Sequence, residues 1–219
     1  MPLNLLKNLQ RSVNQAKLEI RRLPICPEIS LHLLSEDYPR GRLPDEEALA
    51  IMKSPAYWAF CWASGQVTAR YLLDNPRICE NKVVLDFGSG SGIAGIAAAM
   101  AGASKVIACD SDGNALDATL ENAKLNNIKS VEVISNLNEV KRKADLFLAA
   151  DVLYDRENLD VLNTMSEICC EAIVADSRIH DKNTFSKFKL LLQKKCKTVP
   201  DLDEFEDFCF VSLYRAKYS

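Results

Sequence analysis

The chain has 219 residues, 48% of them hydrophobic, a length and composition that suit one α/β domain with its own core and an N-terminal extension. Its formal net charge of −3 provides no general basic field for nucleic acid or an anionic membrane, and no apolar run is long enough to span a bilayer. The eight cysteines include no CxxC pair and accompany only two histidines, so we expect no metal site. Most of them lie in apolar runs, as small core residues do in a reducing compartment.

Residues 1–55 are predicted to form a helical arm and a loop. Apolar residues recur at helical spacing over 3–20, with basic residues between them. An excess of basic over acidic residues is also typical of a mitochondrial presequence, which would place the protein in the matrix. We favour a folded arm and a cytoplasmic protein. An edge strand is predicted at 29–34, followed by a surface loop with a short helix around 46–52.

Both tryptophans of the chain lie in an aromatic run at 56–62. Clustered aromatic side chains are usually core residues. Because this run precedes the glycine-rich unit described below, Trp62 and, less readily, Trp58 could instead cover a ligand pocket. A helix is predicted at 66–74.

From residue 82 onwards, predicted strands alternate with predicted helices, which indicates a mainly parallel sheet. The strands are 83–87, 105–110, 131–134, 145–150 and 172–175, the helices are 93–100, 114–125, 159–170 and 182–195, and 198–201 can pair with 208–214. We therefore predict an α/β, Rossmann-like fold over residues 56–219: a seven-stranded, mostly parallel sheet with an antiparallel closing hairpin and helices on both faces.

A polar residue stands at the carboxyl end of each of the five predicted parallel strands. These residues are Asp86, Asp110, Asn136, Asp151 and Asp176. Right-handed crossovers bring the carboxyl ends of such strands to one edge, outside which open α/β sheets bind their ligands. We therefore expect the functional site at this edge.

The glycine-rich turn after the first of these strands predicts a nucleotide site formed by Gly88, Ser89, Gly90 and Gly92. Glycine lets backbone and ligand approach closely, and the helix that follows offers unpaired N–H groups. A GxGxxG dinucleotide fingerprint also fits, and so does a turn without a ligand. Asp86 favours S-adenosylmethionine, because its carboxylate would repel the pyrophosphate of NAD and attract a sulfonium cation and an amino group.

The next two strand ends predict further cofactor contacts. Asp110, with the adjacent Ser111, can accept hydrogen bonds from ribose hydroxyls, or it can cap the following helix. Asn136 can pair with the edge of adenine, or it can be a turn residue.

The fourth strand end is the predicted catalytic position. Methyl transfer is an in-line displacement in which positioning of the acceptor carries much of the rate. Asp151 could hold an acceptor amine and also contact the cofactor, and Tyr154 could wall the pocket. The alternative is that Asp151 caps a helix and Tyr154 lies in the core. We expect no nucleophilic triad.

The run Val-Leu-Asp-Phe-Gly-Ser-Gly-Ser-Gly at 84–92, together with Asp110, resembles the class I seven-strand methyltransferases. The Asp-Val-Leu-Tyr at 151–154 resembles the DxxY signature of their protein-lysine branch. Within that branch, the runs at 26–34, 57–66 and 71–76 resemble the electron-transfer flavoprotein β-subunit lysine methyltransferases, over about residues 24–180.

This resemblance implies S-adenosylmethionine as cofactor, S-adenosylhomocysteine as product, and methylation of a lysine of the flavoprotein β-subunit near its dehydrogenase-docking loop. Bacterial members can also act on a ribosomal stalk protein. The chain departs from the family at Ala63-Ser64 and at 175–179, where the family often has Gly-Asp-Pro-Gly-Arg. We expect a monomer that binds neither nucleic acid nor a membrane. A small-amine methyltransferase, an inert cofactor-binding partner protein and an NAD oxidoreductase remain alternatives.

Overall fold

The structure is a computed structural model that describes residues 2–38, 41, 44–155, 158–179 and 183–218. Its strands are β1 (Leu18–Arg22), β2 (Ser30–Leu34), β3 (Val83–Phe87), β4 (Lys105–Cys109), β5 (Val131–Ile134), β6 (Ala144–Ala150), β7 (Cys169–Asp176), β8 (Lys189–Lys195) and β9 (Phe210–Lys217). Its α-helices are α1 (Leu3–Gln10), α2 (Asp45–Lys53), α3 (Ala63–Asp74), α4 (Ile93–Met100), α5 (Gly113–Leu125) and α6 (Leu159–Ile168).

The seven-stranded sheet predicted from the sequence is confirmed. Its order is β5-β4-β3-β6-β7-β9-β8, and β1 and β2 form a separate antiparallel ribbon. Neighbours from β5 to β7 are parallel, whereas β9 runs antiparallel to both β7 and β8. In the centre of the sheet, Leu85 aligns with Ile107 of β4 and Phe147 of β6.

Side-chain alternation along the strands builds one apolar layer on each face of the sheet. On one face, Val84 and Leu146 pack in the core that contains α3 and α4 residues. On the other face, Leu85 and Phe147 pack with Met165 of α6. Helices therefore cover both faces, as predicted. Because residue 86 shares its face with residue 84, its side chain is directed toward the α4 layer.

The cysteines are small core residues, as expected. Seven of the eight are buried and Cys170 is exposed. Burial raises the pKa of the Cys26 and Cys109 thiols to about 12, so they stay protonated. In the described part of the chain, no helix combines the length and apolarity needed to cross a lipid bilayer.

The prediction of a helix over residues 3–20 is wrong beyond Gln10. The helix ends there, and Leu18–Arg22 instead form a strand that pairs with β2. Leu18 is buried in a core that also contains α5 residues, so burial in the tertiary structure overrides the helical spacing. The predicted edge strand at 29–34 and the short helix near 46–52 are present as β2 and α2.

The C-terminal expectations also need correction. The prediction of a helix over 182–195 is wrong: residue 182 lies outside the described residues, 183–188 form turns and a bend, and Lys189–Lys195 form β8. The closing hairpin is present, but β9 pairs with β8 and not with 198–201. The leucines at 190–192 fit a helix or a strand locally, and pairing with β9 decides between them.

Asn122 of α5 and Asn126, the C-cap of this helix, attach the N-terminal ribbon to the rest of the fold. The Asn122 side chain accepts the backbone N–H of His32 (2.7 Å) and donates to the carbonyl of Ser91 (2.8 Å) in the glycine-rich turn. One turn along α5, Asn126 exchanges two hydrogen bonds with the backbone of Ser30. No break in packing therefore coincides with the predicted boundary at residue 55, which stays a prediction.

Candidate active site

A cavity of about 960 Å³ opens at the carboxyl edge of the parallel strands, where the sequence placed the site. This volume is near the upper end of the roughly 300–1,000 Å³ of ligand pockets. Eight of the eleven predicted site residues line it: Trp62, Gly88, Gly90, Asp110, Ser111, Asn136, Asp151 and Tyr154. Asp86, Ser89 and Gly92 lie outside its wall.

The glycine-rich turn requires glycine for two physical reasons. Gly88, Gly90 and Gly92 have φ values of +67°, +52° and +81°, which side chains disfavour. A Cβ on Gly88 would also lie 2.3 Å from a methyl carbon of Val152. The turn therefore presents bare backbone to the cavity at Gly88 and Gly90.

Ser89 and Gly92 pack against α5 and do not line the cavity. The Ser89 hydroxyl accepts a hydrogen bond from Thr119 of α5 (3.1 Å), and a Cβ on Gly92 would lie 3.0 Å from Thr119 atoms. Both residues belong to the turn and pack on Thr119 of α5, and their contact with the cofactor stays a prediction.

Asp86 does not face the cavity. It is buried, and its carboxylate accepts the N–H of Gly95 in the first turn of α4 (2.8 Å). Burial raises the pKa of Asp86 to about 7, with a further rise from Asp110 and a partial offset from the Gly95 hydrogen bond. Strand alternation directs this side chain into the α4 layer, outside the cavity wall, and its direct contact with a cofactor cation stays a prediction.

Asp110, the predicted ribose acceptor, lines the cavity. Its two oxygens accept the N–H groups of Gly90 (2.9 Å) and Asp112 (3.0 Å), and burial raises its pKa. An ionised carboxylate has about four acceptor sites, so capacity remains for hydroxyl groups in the cavity. The helix-cap alternative is wrong, since Asp112 caps α5 by accepting the N–H of Asn114.

Asn136 has the turn role that was the alternative to adenine binding. Its side-chain oxygen accepts the N–H of Asn138, and Glu139 completes a capping box at the 3₁₀ turn Leu137–Glu139. Within the described residues its amide nitrogen donates no hydrogen bond, and the residue lines the cavity. Contact with adenine stays a prediction.

Asp151 joins three distant parts of the chain. One oxygen accepts the hydroxyl of Ser64 (2.7 Å) and the hydroxyl and N–H of Ser177 (2.9 and 3.1 Å). The other oxygen accepts the N–H of Ser64 in the first turn of α3 (3.0 Å), where the helix dipole favours a negative charge. The carboxylate thus caps α3 from another part of the chain. Four donors use this carboxylate, which also lines the cavity, and the roles in holding an acceptor amine and in contacting the cofactor stay predictions.

Aromatic side chains form the mouth of the cavity. Tyr154 is 57% exposed, so the core alternative is wrong, and its ring lies 6.0 Å from that of Tyr57. Trp62 packs against Tyr57 at 5.7 Å and donates its indole N–H to the Tyr57 carbonyl. Trp58 also lines the cavity but is buried in the core. An apolar stem can therefore enter between exposed rings.

Several lining residues were not predicted: Lys53, Ser54, Pro55, Tyr57, Phe87 and Arg178. Phe87 could have been found from its place between the strand and the first glycine. The segment 53–55 carries no local signal, because only the tertiary fold brings the end of α2 to this edge. Arg178 ion-pairs with Glu204 (2.6 Å) and lies over the ring of Trp62.

Comparisons with known proteins agree with this architecture. A family model described as Ribosomal protein L11 methyltransferase (PrmA) matches residues 70–177. A solved ribosomal protein L11 methylase from Lactobacillus delbrueckii subsp. bulgaricus has a TM-score of 0.54 at 23% identity, covering 71% of this chain and 79% of the other. The magnesium protoporphyrin IX methyltransferase of Synechocystis PCC 6803, solved with bound S-adenosylmethionine, has a TM-score of 0.55 at 13% identity, covering 82% and 86%.

The chain shares the fold of these two solved methyltransferases. The mouse electron transfer flavoprotein beta subunit lysine methyltransferase is 43% identical over 141 residues, which is 64% of this chain and 54% of that protein. The chain thus spans about half the length of the curated relatives it matches. The match to the family model includes the glycine-rich turn and Asp151, and it ends at Ser177.

Replacing Asp151 by alanine should destabilise the methyltransferase fold. Four donors lose their acceptor, two of them backbone N–H groups, so we expect a loss of about 2–4 kcal/mol in the free energy of unfolding. Urea unfolding measures this loss. The matched control Asp117→Ala, on the exposed side of α5, should stay within about 0.5 kcal/mol of the wild type. Equal unfolding midpoints for the wild type and Asp151→Ala would refute the role of Asp151.

Replacing Asp86 by asparagine should change how stability depends on pH. The pKa of Asp86 is raised from 3.8 to about 7 in the folded chain, so its stabilising contribution is complete below pH 4 and is lost as pH rises through 7. The full loss is on the order of 4 kcal/mol. The amide oxygen of the introduced asparagine can still accept the Gly95 N–H without a buried charge, so Asp86→Asn should gain stability relative to the wild type between pH 5 and pH 8. Urea unfolding at pH 5 and at pH 8 tests this prediction. A difference in the free energy of unfolding between the variant and the wild type that does not change with pH would contradict it.

Proposed function

We propose that this chain transfers methyl groups from S-adenosylmethionine to a lysine of a protein, and that this protein is the electron-transfer flavoprotein β-subunit. The mouse relative, named for this activity, supports the substrate. The observation that carries the chemistry is the cavity itself. It combines a bare glycine turn, a carboxylate with remaining acceptor sites and an exposed aromatic mouth.

The residues of the cavity fit the cofactor. Gly88 and Gly90 line the cavity without a side chain, so a ligand can approach this backbone closely. Asp110 is held in place by two backbone N–H groups and can accept ribose hydroxyls with its remaining acceptor sites. S-adenosylmethionine supplies a methyl group activated by its sulfonium charge.

The mouth of the cavity suits a lysine side chain on a polypeptide. The alkyl stem of lysine packs on aromatic rings, and its cationic head is attracted to their faces. Tyr57 and Tyr154 offer such rings at an exposed position. An open mouth disfavours a small-amine methyltransferase, for which a closed acceptor pocket is expected. The intact glycine turn and Asp110 disfavour an inert partner protein.

The substrate is tested by incubating the purified chain with S-adenosylmethionine and purified flavoprotein β-subunit. Mass spectrometry should show methyl groups on a lysine of the β-subunit. Ribosomal protein L11 belongs in a parallel reaction, because the family model that matches this chain is described by that substrate. Methylation of L11 alone would contradict the proposed substrate and leave lysine methylation standing. Methylation of free amines alone would contradict a protein substrate.

Replacing Asp110 by alanine should weaken cofactor binding. Leaving the ribose hydroxyls without their acceptor costs about 1–3 kcal/mol, which is roughly a 5- to 150-fold rise in Kd. Calorimetry with S-adenosylhomocysteine measures it, with Asp117→Ala as the control that should bind like the wild type. Unchanged affinity in Asp110→Ala would exclude Asp110 as the ribose acceptor.

A further inference from the structure

A row of ring contacts leads from the cavity mouth to the surface. Beyond Trp62, the guanidinium of Arg178 lies 5.7 Å from the Trp62 ring and 4.8 Å from the ring of Phe208. The Phe208 ring in turn lies 6.3 Å from that of Phe205. We name this row the aromatic ridge. It consists of Tyr154, Tyr57, Trp62, Arg178, Phe208 and Phe205.

The outer end of the aromatic ridge is held in place although it is exposed. Glu204 pairs with Arg178 through one oxygen (2.6 Å) and accepts the hydroxyl of Thr198 through the other (2.7 Å). The next residue, Phe205, is nevertheless 79% exposed. An exposed phenylalanine at the end of a row of ring contacts that begins at the cavity mouth is the kind of anchor that protein interfaces use.

The segment around the ridge is acidic. Residues 201–208 contain five carboxylates, on Asp201, Asp203, Glu204, Glu206 and Asp207. Ion pairs join Arg178 to Glu204, Lys195 to Glu206 and Lys197 to Asp201. The segment itself contains no lysine or arginine, so its own charges are all negative and attract basic partners.

Helix α2 forms a second border of the cavity, and it too combines acidic with exposed apolar residues. Its first turn is acidic, with Asp45, Glu46 and Glu47, and it leads directly into the cavity wall at 53–55. No residue of α2 is buried, and Leu49 and Met52 are 55% and 80% exposed. An exposed apolar strip one helical turn long thus borders the cavity.

We propose that the aromatic ridge and α2 form the docking surface for the polypeptide that carries the acceptor lysine. The occupant is a basic segment with an apolar side chain that packs on Phe205. Two observations support this choice: both borders continue into the cavity, and both combine acidic with exposed apolar residues. The inference rests on the proposed function, since it assigns the substrate-binding surface of the same site.

The test uses two variants outside the cavity wall. Phe205→Ala removes the anchor, and Asp207→Lys reverses a charge beside it. Their matched controls are Leu190→Ala and Glu167→Lys, both exposed and on other parts of the surface. Each full-length variant is assayed with S-adenosylmethionine and the flavoprotein β-subunit. Binding of the β-subunit is also measured with S-adenosylhomocysteine present, so that no turnover occurs.

Phe205→Ala should raise the KM for the β-subunit at least tenfold and weaken its binding equally, with kcat within twofold of the wild type. Asp207→Lys should raise KM several-fold at low salt and lose this effect at high salt. The affinity for S-adenosylhomocysteine should not change in either variant, and both controls should behave like the wild type.

The remaining outcomes separate this proposal from the proposed function. If the wild type methylates the β-subunit and Phe205→Ala has an unchanged KM, the docking surface is refuted and the function stands. If sedimentation shows that Phe205→Ala dissociates a dimer without changing KM, the ridge is a self-association surface and the proposal is refuted. If the wild type neither binds nor methylates the β-subunit or L11, the proposed function and the docking surface are both refuted.

Discussion

Buried carboxylates at the carboxyl edge of the sheet require hydrogen-bond donors, and the fold supplies these donors from other loops. A buried charge without partners is costly, so each carboxylate needs donors, either nearby in the chain or in distant segments. Asp151 is the clearest case, because its four hydrogen bonds tie the end of β6 to α3 and to the loop after β7. Asp176 does the same locally for the N–H groups of Arg178 and Ile179.

The need for these donors decides which polar groups of the site remain available to a ligand. Two residues that would be assigned to a ligand from their position bond to the protein: Asp86 accepts from Gly95 outside the cavity wall, and Asp151, within the wall, accepts from Ser64 and Ser177. The surface left for a ligand is the glycine backbone, the remaining acceptor sites of Asp110 and the aromatic mouth. Such a site has little need of a reactive side chain, because methyl transfer depends mainly on holding donor and acceptor in line.

The sequence predicted the elements whose identity is decided locally. Strands β3 to β6 agree with expectation to within a residue, because each is an apolar run bounded by polar or turn residues. The helix expected over 3–20 and the end of the one expected over 182–195 proved to be strands, since β1 and β8 are defined by partners distant in sequence.

The same limit applies to the site. The rule that ligands bind at the carboxyl ends of parallel strands located the cavity, and Asp110, Asn136 and Asp151 line it. The rule could not give the direction of the Asp86 side chain, which depends on the face of β3 it occupies, nor the donors around Asp151, which come from Ser64 and Ser177. It also missed the segment 53–55, which reaches the cavity only through the tertiary fold.

The most direct measurement is a crystal structure of this chain with S-adenosylhomocysteine. We expect the ligand in the cavity, with a ribose hydroxyl within hydrogen-bonding distance of Asp110. Asp86 should remain bonded to Gly95, and Asp151 should remain bonded to Ser64 and Ser177. A ligand bound elsewhere, or an Asp86 or Asp151 carboxylate that leaves its protein donors to contact the ligand, would contradict the account.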